Sequence, residues 1–283
     1  MPIDLDAVGR VSAPHEHRYT WRDQVIYALG IGAPRTSLAH LYEGVPGGLV
    51  TFPTYGVVPA LAPVMELVAE AGVQMEQVVH GAQRITVLEP LPAEATLTTT
   101  ATFTAVYDLK RFVQLRLETE SLHGDTPVQR GRWQIIVRER GGFGGARPPS
   151  DEAPKVPRDR PPDWTFSQRT HPEQALLYRL SGDLNPLHAD PAVAAEAGFE
   201  DGPILHGLAT FGFLARAAIE HEADGDAAAL ETLAAQFRKP VWPGDTLNIH
   251  GWRLPDGCRT ALQVSVDGRD GAVVTNAWAA FRG

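Results

Sequence analysis

The sequence predicts a duplicated α+β domain, in which each copy is a long apolar helix followed by antiparallel strands. Three observations predict it. A stretch rich in Gly, Pro and charge, residues 138–164, falls almost midway along the 283-residue chain and has no apolar period. On each side of it an apolar helical stretch precedes residues that alternate with period two. The turns feeding those alternating runs also match. EPLPAEATL (89–97) and KPVWPGDTL (239–247) pair Pro90 with Pro240 and Thr96-Leu97 with Thr246-Leu247, all at an offset of 150 residues. The division that follows is a first repeat over 1–140, a linker over 141–163 and a second repeat over 164–283.

In the first half, YGVVPALAPVMELVAEAG (55–72) reads as the helix. Pro59 and Pro63 predict a kinked or irregular course that opens apolar space beside it. TLTTTATFTAVYDL, RFVQLRLETES and GRWQIIVRER then read as strands. In the second half, YRLSGDLNPLHADP (178–191) is a turning loop. Gly182 permits a tight path, and Pro186 lacks an N–H and holds Asn185 extended. Asp190-Pro191 reads as the cap and first residue of a short Ala-rich helix. HGLATFGFLARAAIEHE (206–222) is apolar on nearly every face, which predicts a buried helix. NIHGWRL, RTALQVSVDG and AVVTNAWAAF close the half as strands.

Composition narrows the function. With 43% hydrophobic and 21% charged residues the chain is globular, and a net charge of −9 argues against a nucleic-acid surface. One cysteine, Cys258, excludes an intrachain disulfide and a Cys-based metal site, and suits a reducing compartment. The acidic start MPIDLDAVGR lacks a secretory pattern, no apolar run approaches a membrane span, and Phe281-Arg282-Gly283 is not a peroxisomal address. A cytoplasmic protein with neither nucleic-acid nor membrane partners is the expectation.

The chemistry concentrates in the loop. Five residues apart on a regular helix, Asp183 and His188 would diverge, but a proline-bent loop can aim both at one point. An Asp beside a His suits general acid–base work, and Asn185 offers an amide to hold a water or lock the loop. The same three residues also suit turn capping, so spacing alone leaves both readings open. Downstream, His206-Gly207 stands at the start of the buried helix, where backbone N–H groups are free and a glycine lets a ligand oxygen approach. That is the layout of an oxyanion site, with His206 itself read as structural. No metal is expected: His15 and His17 flank Glu16, and His206 and His221 lie near each other, but neither set has supported ligand spacing.

These residues resemble a known family. YRLSGDLNPLHADPAVAAEAGFEDGPILHGLATFGF is similar to the signature of the type-2, MaoC-like or R-specific enoyl-CoA hydratases. YALGIGA (27–33), LYEG (41–44), FPTYGVV (52–58), VVHGAQ (78–83), GGFGG (141–145) and FRKPVWPGDTL (237–247) extend the resemblance to the two-repeat members, including the hydratase part of the peroxisomal multifunctional enzyme. The resemblance implies a double hot-dog fold, each repeat a central helix wrapped by antiparallel sheet. It also implies reversible hydration of trans-2-enoyl-CoA to (3R)-3-hydroxyacyl-CoA with no cofactor beyond the CoA of the substrate. By resemblance Asp183 and His188 hold the reacting water and move its protons, Asn185 positions the loop, and the Gly207 amide stabilises the thioester oxygen. His80, Gly81, Lys110 and Phe237 are the implied substrate-binding residues, with Arg111 an alternative to Lys110. Glu43 in LYEG matches a family position and is read as structural support. A homodimer is the implied assembly.

The sequence departs from the family in two places. FEDGPILHG is one residue longer than the family's pattern, an insertion that a turn at Asp201-Gly202 would absorb. The first half has no G-D-x-N-P-x-H, which predicts one active site per chain, with the Pro-containing helix bordering the acyl tunnel. Acyl-CoA thioester hydrolysis and non-catalytic acyl-CoA binding are the rival readings.

Overall fold

A computed structural model describes residues 3–74, 77–138, 140–149 and 153–282. The first half runs β1 (His15–Tyr19), α1 (Trp21–Gly30), α2 (Leu38–Leu41), α3 (Val57–Glu70), β2 (Val78–Val87), β3 (Ala95–Leu109), β4 (Phe112–His123) and β5 (Thr126–Val137). The second runs β6 (Trp164–Arg169), α4 (Gln174–Tyr178), α5 (Pro191–Glu196), α6 (Gly207–Glu222), β7 (Leu230–Phe237), β8 (Thr246–Arg253), β9 (Arg259–Val266) and β10 (Val274–Phe281). No helix among the described residues is long and apolar enough to cross a membrane.

The ten strands form one sheet in the order β1-β3-β4-β5-β2-β7-β10-β9-β8-β6. Read inward from each edge, the second half repeats the first: β6 takes the place of β1, β8 of β3, and β7 of β2. The repeats join where β2 runs antiparallel to β7, with Ala82 opposite Gln236 and Thr86 opposite Thr232. This is the double hot-dog arrangement, with a long helix in each repeat.

Alternation explains the strands. Leu97, Ala101 and Phe103 of β3 and Val113, Leu115 and Leu117 of β4 are buried to the last per cent, while Glu118 and Arg130 face out. The all-round apolar reading of α6 holds, since every residue from Leu208 to Ile219 is buried. The course of α3 differs from expectation. Pro59 falls in its first turn, where a missing N–H leaves no bond unmade, and the helix continues through Pro63 to Glu70. Apolar space beside it exists nonetheless, faced by Leu61 and Met65, one turn apart.

The two repeats interlock. A Cβ on Gly212 of α6 would stand 2.2 Å from Ile31, so the glycine admits the end of α1 against the second helix. Around that contact the Arg216 guanidinium donates to Ile31 O at 3.0 Å, and the Gln174 amide donates to Leu29 O and Gly30 O. The start of the linker is also tied down. Gly142 and Gly144 N–H donate to the Asp108 carboxylate at 2.9 and 2.7 Å, folding GGFGG onto the β3–β4 hairpin.

Candidate active site

A cavity of about 730 Å3 opens at one end of the β2–β7 seam, and residues of both halves line it. Its apolar walls include Leu61, Met65, Phe112, Phe199 and Leu208, and its polar end holds Asp183, Asn185, His188 and Gly207.

The loop is built as the sequence suggests. Gly182 sits at φ 127, a region that side chains rarely adopt, and turns the chain out of the helical stretch that ends at Ser181. Asp183 Oδ1 accepts from Asn185 N–H at 3.3 Å, and Asn185 Oδ1 accepts from Leu187 N–H at 3.0 Å. Both side chains therefore cap the turn and line the cavity. Asp190 accepts from Ala192 N–H at 2.8 Å and starts α5, as expected.

His188 is 8% exposed, and its Nδ1 lies 2.8 Å from Ile204 O. A carbonyl only accepts, so Nδ1 carries the proton and Nε2 of the neutral ring keeps its lone pair. Burial pulls the His188 pKa below its ordinary value, against the opposing pull of the Asp183 charge. Asp183, His188 and His206 bring ligand-type atoms within 4.8 Å of one another. The convergence that the loop geometry predicted is present.

His206 is more than structural filling. It is 1% exposed, its ring stacks on His188 at 3.7 Å and 27°, and its Nε2 lies 3.1 Å from the Asp183 carbonyl oxygen. It therefore holds the loop against the helix start, while its Nδ1 has no partner among the described residues. Burial and the neighbouring His188 push its pKa well below 6.5. The Asp183–His188–His206 cluster has the donor types and the spacing of a proton-transfer site, and a metal ion could use the same atoms. Each ring commits one nitrogen to a carbonyl, His188 Nδ1 to Ile204 O and His206 Nε2 to Asp183 O, and keeps the other nitrogen for the cluster.

Gly207 is the first residue of α6, and its N–H has no acceptor among the described residues. The three atoms nearest a Cβ there all belong to the Phe237 ring, the first at 3.4 Å, so that ring packs beside the helix start. Leu205 N–H donates to Val241 O at 2.7 Å, which fixes the approach to the helix. Within FEDGPILHG the chain turns at Gly202, φ 103, whose carbonyl accepts from the Trp242 indole at 3.1 Å.

The first repeat supplies the opposite wall. His80 stacks on Trp133 at 5.1 Å and 10° and meets the edge of Phe237 at 5.3 Å. Trp133, His80, Phe237 and Gly207 thus form one continuous surface. Gly81 sits in a register shift of β2 against β5, where a Cβ would stand 2.7 Å from Ile136 Cγ1.

Lys110 is placed differently. It occupies the β3–β4 turn at φ 69, and it is not among the lining residues, although Leu109 and Phe112 beside it are. Arg111, its alternative, does not line the cavity either. The cations that line the cavity are Arg138, Arg238 and Lys239. Arg238-Lys239 stand next to Phe237 and were legible there, whereas Arg138 ends β5 without any sequence signal. Glu43 is exposed and does not line the cavity.

Comparison with known proteins agrees with this fold. Residues 17–139 match the model of the MFE-2 hydratase 2 N-terminal domain, and residues 151–273 that of the MaoC-like domain. The chain is 34% identical over 289 residues to a probable enoyl-CoA hydratase 2 of Dictyostelium discoideum, covering 99% of this chain and 97% of that one. It is 38% identical to the 3-hydroxyacyl-thioester dehydratase Y of Mycobacterium tuberculosis, covering 96% of this chain and 94% of that one. The crystal structure of a MaoC-like dehydratase from Phytophthora capsici superposes with a TM-score of 0.88 at 28% identity, over 99% of this chain and 98% of that one. A two-repeat hot-dog protein that matches these relatives over nearly its whole length belongs to the MaoC-like class of hydratases and dehydratases. Within that class, this chain is a member of the enoyl-CoA hydratase 2 family.

Proposed function

We propose that the chain is a hydro-lyase that hydrates trans-2-enoyl-CoA reversibly, in fatty-acid or related acyl-CoA metabolism, and that its product is the (3R)-3-hydroxyacyl-CoA. The observation that carries the reading is the meeting of an unprotonated, buried His188 Nε2, the Asp183 carboxylate and the free Gly207 N–H at the polar end of one apolar cavity.

Hydration needs a base for water, a donor for the enolate oxygen and a proton for the α carbon. His188 Nε2 takes a proton from a water held between it and Asp183 as the oxygen adds to the β carbon. The negative charge moves to the thioester oxygen, where the Gly207 N–H and the positive end of α6 stabilise it. The imidazolium, held by the Asp183 carboxylate, then returns its proton to the α carbon from the same side. Dehydration is the reverse. Arg138, Arg238 and Lys239 suit the phosphates of CoA, and the Leu61, Met65 and Phe112 walls suit the acyl chain. The reading calls for no metal or organic cofactor, and it keeps the cytoplasmic location and homodimer of the sequence expectations as part of the proposal. Loss of enoyl-thioester absorbance, followed by chiral analysis of the product, tests it. Release of free thiol instead of hydroxyacyl-CoA overturns it in favour of thioester hydrolysis.

A further inference from the structure

The polar end of the cavity carries a second kind of chemistry. Asp183, His188 and His206 bring ligand-type atoms within 4.8 Å of one another. Asp183 Oδ1 accepts from Asn185 N–H, while its Oδ2 takes no hydrogen bond among the described residues. His188 donates from Nδ1 to Ile204 O at 2.8 Å, and His206 donates from Nε2 to Asp183 O at 3.1 Å. Each ring is thereby held in one tautomer, with the lone pair of its other nitrogen left over. An imidazole that donates to a backbone carbonyl on one side and offers a lone pair on the other is the arrangement found around bound metals.

His206 supplies an independent sign of a ligand. The residue is 1% exposed, and its Nδ1 has no partner among the described residues. The hydration chemistry leaves that atom idle, since His188 alone moves the protons. A buried acceptor is ordinarily met by a donor or a cation. Two imidazoles and one carboxylate are a donor set for zinc, whereas magnesium and calcium prefer oxygen alone. Zinc holds nitrogen at about 2.0–2.1 Å, so tetrahedral donors stand about 3.4 Å apart, and loading draws these side chains in by about 1 Å. Asp183 and His188 line the cavity, which gives an ion its entry path and leaves a fourth position open to water.

We propose that Asp183, His188 and His206 bind one zinc ion, and that the ion shuts hydration off. Zinc on His188 Nε2 occupies the lone pair that takes the water's proton. The shut-off rests on the hydration reading, whereas the site does not and is measured without turnover. The Arg179 charge, felt at His206, opposes the ion and sets the expected affinity at micromolar rather than nanomolar.

Titration of the metal-stripped full chain with zinc, in competition with a zinc-sensitive dye, tests it. One site per chain is expected. Affinity should fall by about tenfold or more in His206→Gln and in Asp183→Asn, each of which removes a ligand. It should stay within about twofold in His15→Gln and His171→Gln, which remove the histidines paired elsewhere with Glu66 and Glu173. Cobalt in place of zinc should give the visible bands of a four- or five-coordinate nitrogen–oxygen site and lose them in His206→Gln. Melting temperatures identify a variant that fails to fold, and Asp183→Asn decides should His206→Gln be lost. Hydration should slow over the zinc concentrations that fill the site and recover on chelation, and magnesium should leave it unchanged. A chain that binds zinc in this way yet hydrates no enoyl-CoA keeps the site and overturns the hydration reading instead. No saturable binding below millimolar zinc, affinity unchanged in both His206→Gln and Asp183→Asn, or an undiminished hydration rate with the site filled overturns the proposal.

Discussion

Asp183 holds two positions at once: its carboxylate caps Asn185 N–H and faces the cavity, while its carbonyl accepts from His206. Asp183→Asn keeps the cap and removes the charge that supports the imidazolium. It should retain acyl-CoA binding and lower hydration by about 10²-fold or more, the scale of acid–base catalysis, read as loss of enoyl-thioester absorbance. Unchanged turnover would remove Asp183 from the chemistry. His188 must be neutral to act, and burial lowers its pKa, so kcat/KM should be flat around neutrality and fall only below the usual histidine range near 6.5. The same burial shapes stability. His80, pushed down to about 4, stays neutral in the fold while its unfolded counterpart protonates below 6.5. The unfolded state then binds more protons, so stability is full above 6.5 and is lost as pH falls from there through about 4. The Tm against pH should slope over that window, and less steeply in His80→Gln. At this scale Asp183, Asn185, His188 and Gly207 were legible, because loop and cap chemistry is local. The part played by His206 was not, since stacking on a residue 18 positions away leaves no spacing signal.

Among the elements, the two helices and the six strands of the hairpin runs were readable from periodicity. The others were not. β7 reads LETLAAQF, with too little β-branched content to announce a strand, and it is one because β2 and β10 flank it and small Ala234 and Ala235 fit the seam. Likewise a buried helix tolerates Pro63 because packing, not propensity, holds it. The shift in β2 at Gly81 shows an element setting a site. Gly81→Val would drive a side chain into Ile136, disturb the His80–Trp133 stack and raise KM for acyl-CoA well above its effect on kcat. A KM within twofold of the parent's would detach that shift from binding. In α6, Phe213→Ala should cost about 3–5 kcal/mol, because the ring is fully buried and its removal leaves a cavity. Denaturant unfolding measures it.

For the whole molecule, one sheet and one core cluster run through both repeats. Separating them would expose the β2 and β7 edges and strip α6 of Ile31. Residues 1–149 and 153–283 expressed alone should be inactive and poorly soluble, whereas the full chain should unfold in a single cooperative transition. An active second half by itself would show that the first repeat is dispensable for substrate binding. The sequence alone determined the duplication, the helix–strand order and the loop that gathers Asp183, Asn185 and His188, because each rests on periodicity, turn chemistry or short-range spacing. Only the tertiary structure decided which cations face the cavity and why Lys110 does not. Those facts depend on which residues of distant strands become neighbours, and sheet register, not chain order, sets that.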